Sequence, residues 1–112
     1  MPVIDQTTFD ELKEMSGDDF INELIDTFLE DAPKMIEEIK SAFVSNNADS
    51  FRRAAHSMKS NAATFGASQL AALAKELEML GKENKLPETG NRLKALEEAY
   101  ESVRNELKDL KS

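Results

Sequence analysis

Apolar residues recur every three or four positions along almost the whole sequence, and no segment shows the strict alternation of a half-buried strand. A stripe with this period buries one face of a helix against a neighbour, so the chain is expected to fold as packed helices. The last stripe comprises Leu93, Leu96, Tyr100, Val103, Leu107 and Leu110. An unbroken stripe of this kind is typical of a bundle helix.

A second long apolar stripe runs from Ile21 to Phe43, and Pro33 lies in its middle. Proline removes one backbone hydrogen bond, so it kinks a helix or splits it in two. Because the stripe continues in phase beyond Pro33, we predict one long helix that is kinked near that residue.

Capping and turn residues divide the chain into five helical segments. The boundary signals are a capping box from Thr8 to Glu11, a stop at Ser16 and Gly17, a cap at Asp18 or Asp19, a turn over residues 46–50, a stop at Gly66, a cap at Ser68 and a break over residues 81–87. We therefore predict an all-α fold, an antiparallel four-helix bundle with a short additional N-terminal helix. No segment reads as a linker, so residues 1–112 are expected to form a single domain.

The composition excludes several classes of site and partner. The chain has no cysteine and one histidine, which rules out disulfides and thiolate chemistry and argues against a zinc site. The net charge of −8 argues against nucleic acid, whose phosphates need broad basic surfaces. The N-terminus lacks a signal-peptide pattern, and no run approaches the ~18 apolar residues of a membrane span. We expect a cytoplasmic location and no membrane contact.

The single histidine, His56, lies in a basic segment of this acidic chain. Residues 51–67 contain three basic residues and no acidic one. On a helical wheel His56 falls opposite the apolar face, which comprises Phe51, Ala54, Ala55, Met58, Ala62 and Phe65. Arg52 and Arg53 lie one turn before His56, and Lys59 and Ser60 lie one turn after it. The imidazole is therefore expected to be exposed and flanked by cations.

The residues alone leave two interpretations of His56 open. It is either an incidental surface histidine of a helical adaptor whose basic patch binds an acidic partner, or a phosphoryl acceptor. The second interpretation uses the imidazole as nucleophile and Lys59 as a counter-charge. An enzyme is disfavoured, because no nucleophile–base pair and no glycine-rich phosphate loop is visible.

The segment from His56 to Gly66 resembles the signature of histidine-containing phosphotransfer (HPt) domains of multistep phosphorelays. That signature is His-x-x-Lys-(Gly or Ser), with a glycine ten residues after the histidine, and His56, Lys59, Ser60 and Gly66 occupy its positions. The resemblance implies a kinked four-helix bundle that takes a phosphoryl group from a receiver-domain aspartate onto His56 and passes it to the aspartate of another receiver. It also implies that such a domain does not catalyse the transfer alone.

The resemblance also implies a role for each of these residues. His56 would carry the phosphoryl group on Nε2, Lys59 would neutralise it, and Ser60 would keep the approach open. Gly66 would serve the helix end and close packing. The chain would need no cofactor, since Mg²⁺ is expected only on the partner receiver domain.

At one position the sequence departs from the family pattern, because Glu78 stands where some members have a glutamine that binds the histidine. Its carboxylate either accepts the Nδ1 proton of His56 and fixes the tautomer, or is only a solvated surface acid.

The implied partners are response-regulator receiver domains and a sensor or hybrid histidine kinase. Candidate docking residues are Phe9, Leu12, Met15, Phe20 and Leu24, with Arg52 and Arg53 steering the partner's acidic pocket. The alternative is that the five apolar residues only close the end of the core, so at least one is expected to remain partly exposed. We expect a monomer.

Overall fold

A computed structural model describes residues 4–111, and within them every regular element is helical. The helices are α1 (Gln6–Ser16), α2 (Asp18–Val44), α3 (Ala48–Thr64), α4 (Ser68–Lys82) and α5 (Arg92–Leu110), with a short 3₁₀ helix (Leu86–Thr89) between α4 and α5. The predicted all-α fold is confirmed. No helix of the described residues is both long enough and apolar enough to cross a membrane.

Helices α2 to α5 form the bundle, in which α3 packs against α2 and α4, and α5 packs against α4 and α2. Two ring contacts show that α2 and α3 are antiparallel. Phe28 lies 5.3 Å from Phe65 and Phe43 lies 6.5 Å from Phe51, measured between ring centroids. The short helix α1 packs on α2.

The predicted apolar face of α3 is confirmed, because all six of its residues from Phe51 to Phe65 are buried. Burial of these side chains orients the helix, since the hydrophobic contribution grows with the apolar area removed from water. His56, on the opposite side of the same helix, is consequently turned outward.

Helix α2 is a single helix that continues through Pro33, as predicted. The kink at that residue stays a prediction. The apolar stripe of α2 is buried on both sides of the proline, at Ile21, Ile25, Phe28, Ile36 and Ile39. This continuous burial is what keeps the helix intact, because the packing offsets the lost backbone hydrogen bond.

Three of the predicted helix starts were wrong by one to a few residues. Helix α1 is capped by Asp5, whose carboxylate accepts hydrogen bonds from the Thr7 backbone N–H at 3.3 Å and the Thr8 hydroxyl at 2.7 Å. The Thr8 hydroxyl therefore donates to Asp5 instead of capping a later turn. Gly17 precedes α2, and Asp18 and Asp19 fall in its first turn, where negative charge is also favourable.

The start of α4 shows the third shift, because Ser68 is its first residue and Ala67 occupies the cap position. No side chain caps this helix, and the Ser68 backbone N–H donates to the Gly66 carbonyl at 3.0 Å.

Gly66 joins the start of the described chain to the turn between α3 and α4. Its φ of +78° lies in the left-handed region, and a Cβ there would come within 2.9 Å of the Thr8 Cβ and 3.0 Å of the Asp5 carbonyl oxygen. The Asp5 backbone N–H donates to the Gly66 carbonyl at 2.8 Å. A glycine at this position allows α1 to lie against the end of the bundle.

Candidate functional site

The candidate site is built around His56, whose side chain is 55% exposed on α3. Its chain neighbour Ala55 and the nearby Met58 are buried in the core, which fixes the helix and leaves the imidazole projecting from it. Ser60, one turn further along, is exposed and small. An incoming protein could therefore reach the ring from the solvent side.

Glu78 of α4 is bound to two of the predicted site residues on α3, His56 and Lys59. One carboxylate oxygen, Oε2, lies 2.6 Å from His56 Nδ1, and the other, Oε1, accepts a hydrogen bond from Lys59 Nζ at 2.7 Å. The Glu78 side chain is only 16% exposed. The interpretation of Glu78 as a freely solvated surface acid was therefore wrong.

The pKa of Glu78 lies below its usual value, and the hydrogen bond from Lys59 is the largest cause. Partial burial opposes this shift, while the hydrogen bond with His56 adds to it. The carboxylate is consequently ionised at neutral pH and can only accept hydrogen bonds. It requires a proton on His56 Nδ1, which leaves the lone pair of the neutral ring on Nε2.

Gly81 brings α4 close enough to α3 for Glu78 to reach His56. A Cβ at position 81 would lie 2.9 Å from the Arg52 backbone nitrogen and 3.0 Å from the Ala48 carbonyl oxygen. Gly81 was predicted to lie in a break between helices, which was wrong, because it is a buried residue of α4. The heptad-like spacing of Leu70, Ala74, Leu77 and Gly81 was the signal that could have identified it as a packing position.

The segment around His56 contains no acidic residue in the sequence, but in the structure a nearby acidic side chain pairs with two of its basic residues. Asp49 approaches Arg52 at 3.0 Å and Arg53 at 3.1 Å, measured from carboxylate oxygens to guanidinium nitrogens. The pKa of Asp49 lies below its usual value, and the hydrogen bond from Arg52 is the largest cause. The net positive charge next to His56 is therefore smaller than the sequence indicated.

The described residues do not offer a metal site of the chain's own. Among residues 4–111 no three or more histidine, cysteine, aspartate or glutamate side chains gather closely enough to hold an ion. The groups that the structure brings together at the site are the imidazole, the Lys59 ammonium and the Glu78 carboxylate.

Comparison with known proteins identifies the family. The Hpt domain family model matches residues 23–106, which include His56, Lys59 and Glu78. The chain belongs to the Hpt domain family. Among solved structures, histidine-containing phosphotransfer protein B (HptB) from Pseudomonas aeruginosa PAO1 superposes on it with a TM-score of 0.92 and 27% sequence identity. The match covers 98% of this chain and 95% of the HptB chain. No curated protein matches the sequence.

The predicted docking residues of this Hpt domain differ in exposure. Met15 is 85% exposed and Phe20 is 50% exposed, which confirms that at least one remains accessible. Leu12 and Leu24 are half-buried. Phe9 is buried, so its assignment to a docking surface was wrong, and it belongs to the core because it anchors α1.

The two exposed docking candidates, Met15 and Phe20, lie at one end of the bundle, at some distance from His56. Given the antiparallel ring contacts and a rise of about 1.5 Å per residue, Phe20 is roughly 25 Å from His56 along the bundle axis. A shallow depression lies between them on the His56 side, and Thr8, Lys59, Ala63 and Lys75 are among its lining residues. This depression therefore connects the neighbourhood of Lys59 to the start of α1.

Proposed function

We propose that His56 is the phosphoryl carrier of this Hpt domain, accepting the group from the aspartate of one receiver domain and donating it to the aspartate of another. Hpt domains serve as phosphorelay intermediates, and His56 is the chain's single histidine. The observation that carries the proposal is the orientation of the ring. It is more than half exposed, and its Nδ1 is engaged by Glu78, so Nε2 is the nitrogen left to react.

The chain contributes positioning and charge to the transfer. Lys59, held 2.7 Å from Glu78, lies one turn from His56 and supplies a cation for the incoming phosphoryl oxygens. Ser60 leaves space for the partner. The receiver domain would bring Mg²⁺ and its acidic pocket, so in this proposal the chain has no autonomous catalytic activity.

The proposal is tested by incubating the chain with a receiver domain that carries a labelled aspartyl phosphate. Label that moves to the chain and is lost in acid but retained in alkali identifies a phosphohistidine. A chain that binds the receiver and takes no label would be the adaptor that the sequence also allowed.

We predict that Lys59→Ala slows phosphoryl transfer about tenfold, because a unit cation close to a dianionic group is removed. The half-buried Lys59 side chain is not part of the core, so the fold should be retained. Transfer rates from the phosphorylated receiver, together with circular dichroism, measure both effects. Lys108→Ala, at an exposed position on α5, is the matched control, and an unchanged rate in Lys59→Ala would mean that Lys59 does not assist transfer.

We further propose that the receiver domain covers the surface from His56 across the depression beside Lys59 to Met15 and Phe20. A typical interface buries about 800 Å² on each partner, so its diameter is on the order of 30 Å. This diameter matches the roughly 25 Å axial separation between His56 and Phe20. In this arrangement Phe20 would be an exposed aromatic anchor within the interface.

We predict that Phe20→Ala weakens receiver binding by about fivefold or more, since truncating an aromatic anchor commonly costs more than 1 kcal/mol. Binding is measured by titrating the receiver domain. Val44→Ala is the matched control, because Val44 is an exposed apolar residue at the other end of the same helix. Equal affinities for the two variants would remove Phe20 from the docking surface.

The finer features of the function are also proposals. The partners would be response-regulator receiver domains and a sensor or hybrid histidine kinase, and Arg52 and Arg53 would steer them despite their pairing with Asp49. We propose that residues 1–112 act as one monomeric domain in the cytoplasm. Residues 1–3 and 112 of that range lie outside the described part of the chain.

A further inference from the structure

A groove between α2 and α5 lies on the side of the bundle opposite the seam of α3 and α4 that carries the candidate site. Its volume is about 660 Å³, within the range of roughly 300–1,000 Å³ that is typical of small-molecule sites. Leu29, Pro33 and Ile36 of α2 form its apolar part. Tyr100 and Arg104 of α5 also line it, and they bring polar atoms to the same place.

The Leu29 carbonyl is an acceptor that lacks its usual helical donor. In an α-helix it would accept from the backbone N–H four residues later, but residue 33 is a proline, which has no N–H. The Tyr100 hydroxyl reaches this carbonyl from α5 at 3.5 Å, which is long for a hydrogen bond between two oxygens. Burial raises the pKa of Tyr100, so its hydroxyl keeps its proton at neutral pH. The carbonyl therefore retains the capacity to accept from a stronger donor.

Arg104 contributes a donor that has no acceptor. Its Nη2 pairs with Glu101 at 2.9 Å, but its Nε is shielded from solvent and has no hydrogen-bond partner among the described residues. A buried donor that is left unpaired costs free energy. Because the Arg104 side chain is 40% exposed, it has room to turn its Nε–H toward an acceptor in the groove. An acceptor placed there would recover the missing hydrogen bond.

We propose that this groove is a binding site for a small apolar molecule with an amide head group. The amide oxygen accepts from Arg104 Nε, and the amide N–H donates to the Leu29 carbonyl. The apolar body lies against Leu29, Pro33 and Ile36, and its withdrawal from water supplies most of the affinity. Neither the family match nor the similarity to HptB assigns a ligand to this face of the bundle.

The two polar groups discriminate against charged head groups. A carboxylate has only acceptors, so it would place an oxygen against the Leu29 carbonyl. An ammonium has only donors, and it would face the Arg104 guanidinium. Four acidic and four basic side chains line the groove, so the rim has no net charge that favours an ion. An amide complements both groups because it offers one acceptor and one donor.

The site is tested by titrating the full chain with hexanamide while its backbone amide resonances are followed by nuclear magnetic resonance. We expect saturable shifts centred on α2 and α5 around the groove, with a Kd on the order of 1 mM for a ligand of this size. Hexanoate and hexylammonium have the same chain length, and each is expected to bind at least fivefold more weakly. Shifts that do not saturate, shifts centred elsewhere, or equal affinities for the three ligands overturn the proposal.

Arg104→Met tests the donor, since methionine keeps an apolar side chain and removes the guanidinium. We expect hexanamide to bind at least fivefold more weakly and the discrimination against hexylammonium to disappear, whereas a merely structural role would weaken all three ligands together. Arg92→Met is the matched control, because Arg92 is an exposed arginine at the start of the same helix and does not line the groove. An unchanged affinity in Arg104→Met, or the same loss in Arg92→Met, overturns the proposal.

Pro33→Ala tests the acceptor, because alanine supplies the backbone N–H that the Leu29 carbonyl lacks and also favours the helix. The advantage of hexanamide over hexanoate should fall to less than about twofold. The two ligands share one apolar chain, so loss of the proline ring affects both equally and the ratio reports the head group alone. An unchanged ratio overturns the proposal. These titrations need no receiver domain and no phosphoryl donor, so their outcome is independent of the proposed function of His56.

Discussion

Replacing His56 by glutamine should abolish phosphorylation of the chain completely. Glutamine keeps a polar side chain of moderate length but has no nucleophilic nitrogen, because its amide lone pair is delocalised. Since the His56 ring is more than half exposed and lies opposite the core face of α3, the substitution should leave the bundle intact. The measurement is the transfer of labelled phosphate from a phosphorylated receiver to wild-type and variant chains under identical conditions.

Ser57→Ala is a suitable control for the His56→Gln experiment. Ser57 is the exposed hydroxyl next to His56 in the sequence, so it is the nearest alternative acceptor along α3. Its substitution should leave the label unchanged. Acid-stable label that persists in His56→Gln would contradict the proposed carrier and would point to a hydroxyl group.

The sequence predicted the helices and the outward direction of His56 because both follow from one-dimensional periodicity. Burial of Phe51 and Met58 on one face of α3 requires that a residue on the opposite face be exposed. Helix starts were less predictable, since Thr8 and Asp5 both have capping chemistry and only the approach of Gly66 to Asp5 selects between them. This contact joins residues far apart in the sequence, so a local sequence pattern cannot predict it.

The electrostatic environment of the site could not be read from the sequence for the same reason. Glu78 is far from His56 in the sequence, and it reaches the ring because Gly81 lets the α3 and α4 backbones pack closely. The family resemblance pointed to position 78 but not to its simultaneous bond with Lys59. That bond joins side chains 19 residues apart in the sequence, and it depends on a side-chain geometry that local patterns do not contain.

The largest effect on stability is expected for Phe28→Ala, which should lower the free energy of unfolding by about 3–5 kcal/mol. The buried Phe28 ring lies between Phe65 at 5.3 Å and Tyr100 at 6.0 Å, so it joins α2 to the end of α3 and to α5. Truncation leaves a cavity where three elements meet. Against a total of roughly 5–15 kcal/mol for a natural domain, this loss is large.

Phe20→Ala provides the matched control for Phe28→Ala, because it removes the same side chain from the same helix at a position that is half exposed. Its expected cost is about 1 kcal/mol, since only part of the ring is withdrawn from water. Denaturant unfolding of both variants measures the difference. Equal costs would mean that the buried and exposed faces assigned to α2 are wrong. The position of Phe20 on the docking surface would then be wrong as well. A large difference would confirm, independently of any phosphoryl-transfer assay, that α2 buries Phe28 and leaves Phe20 at the surface.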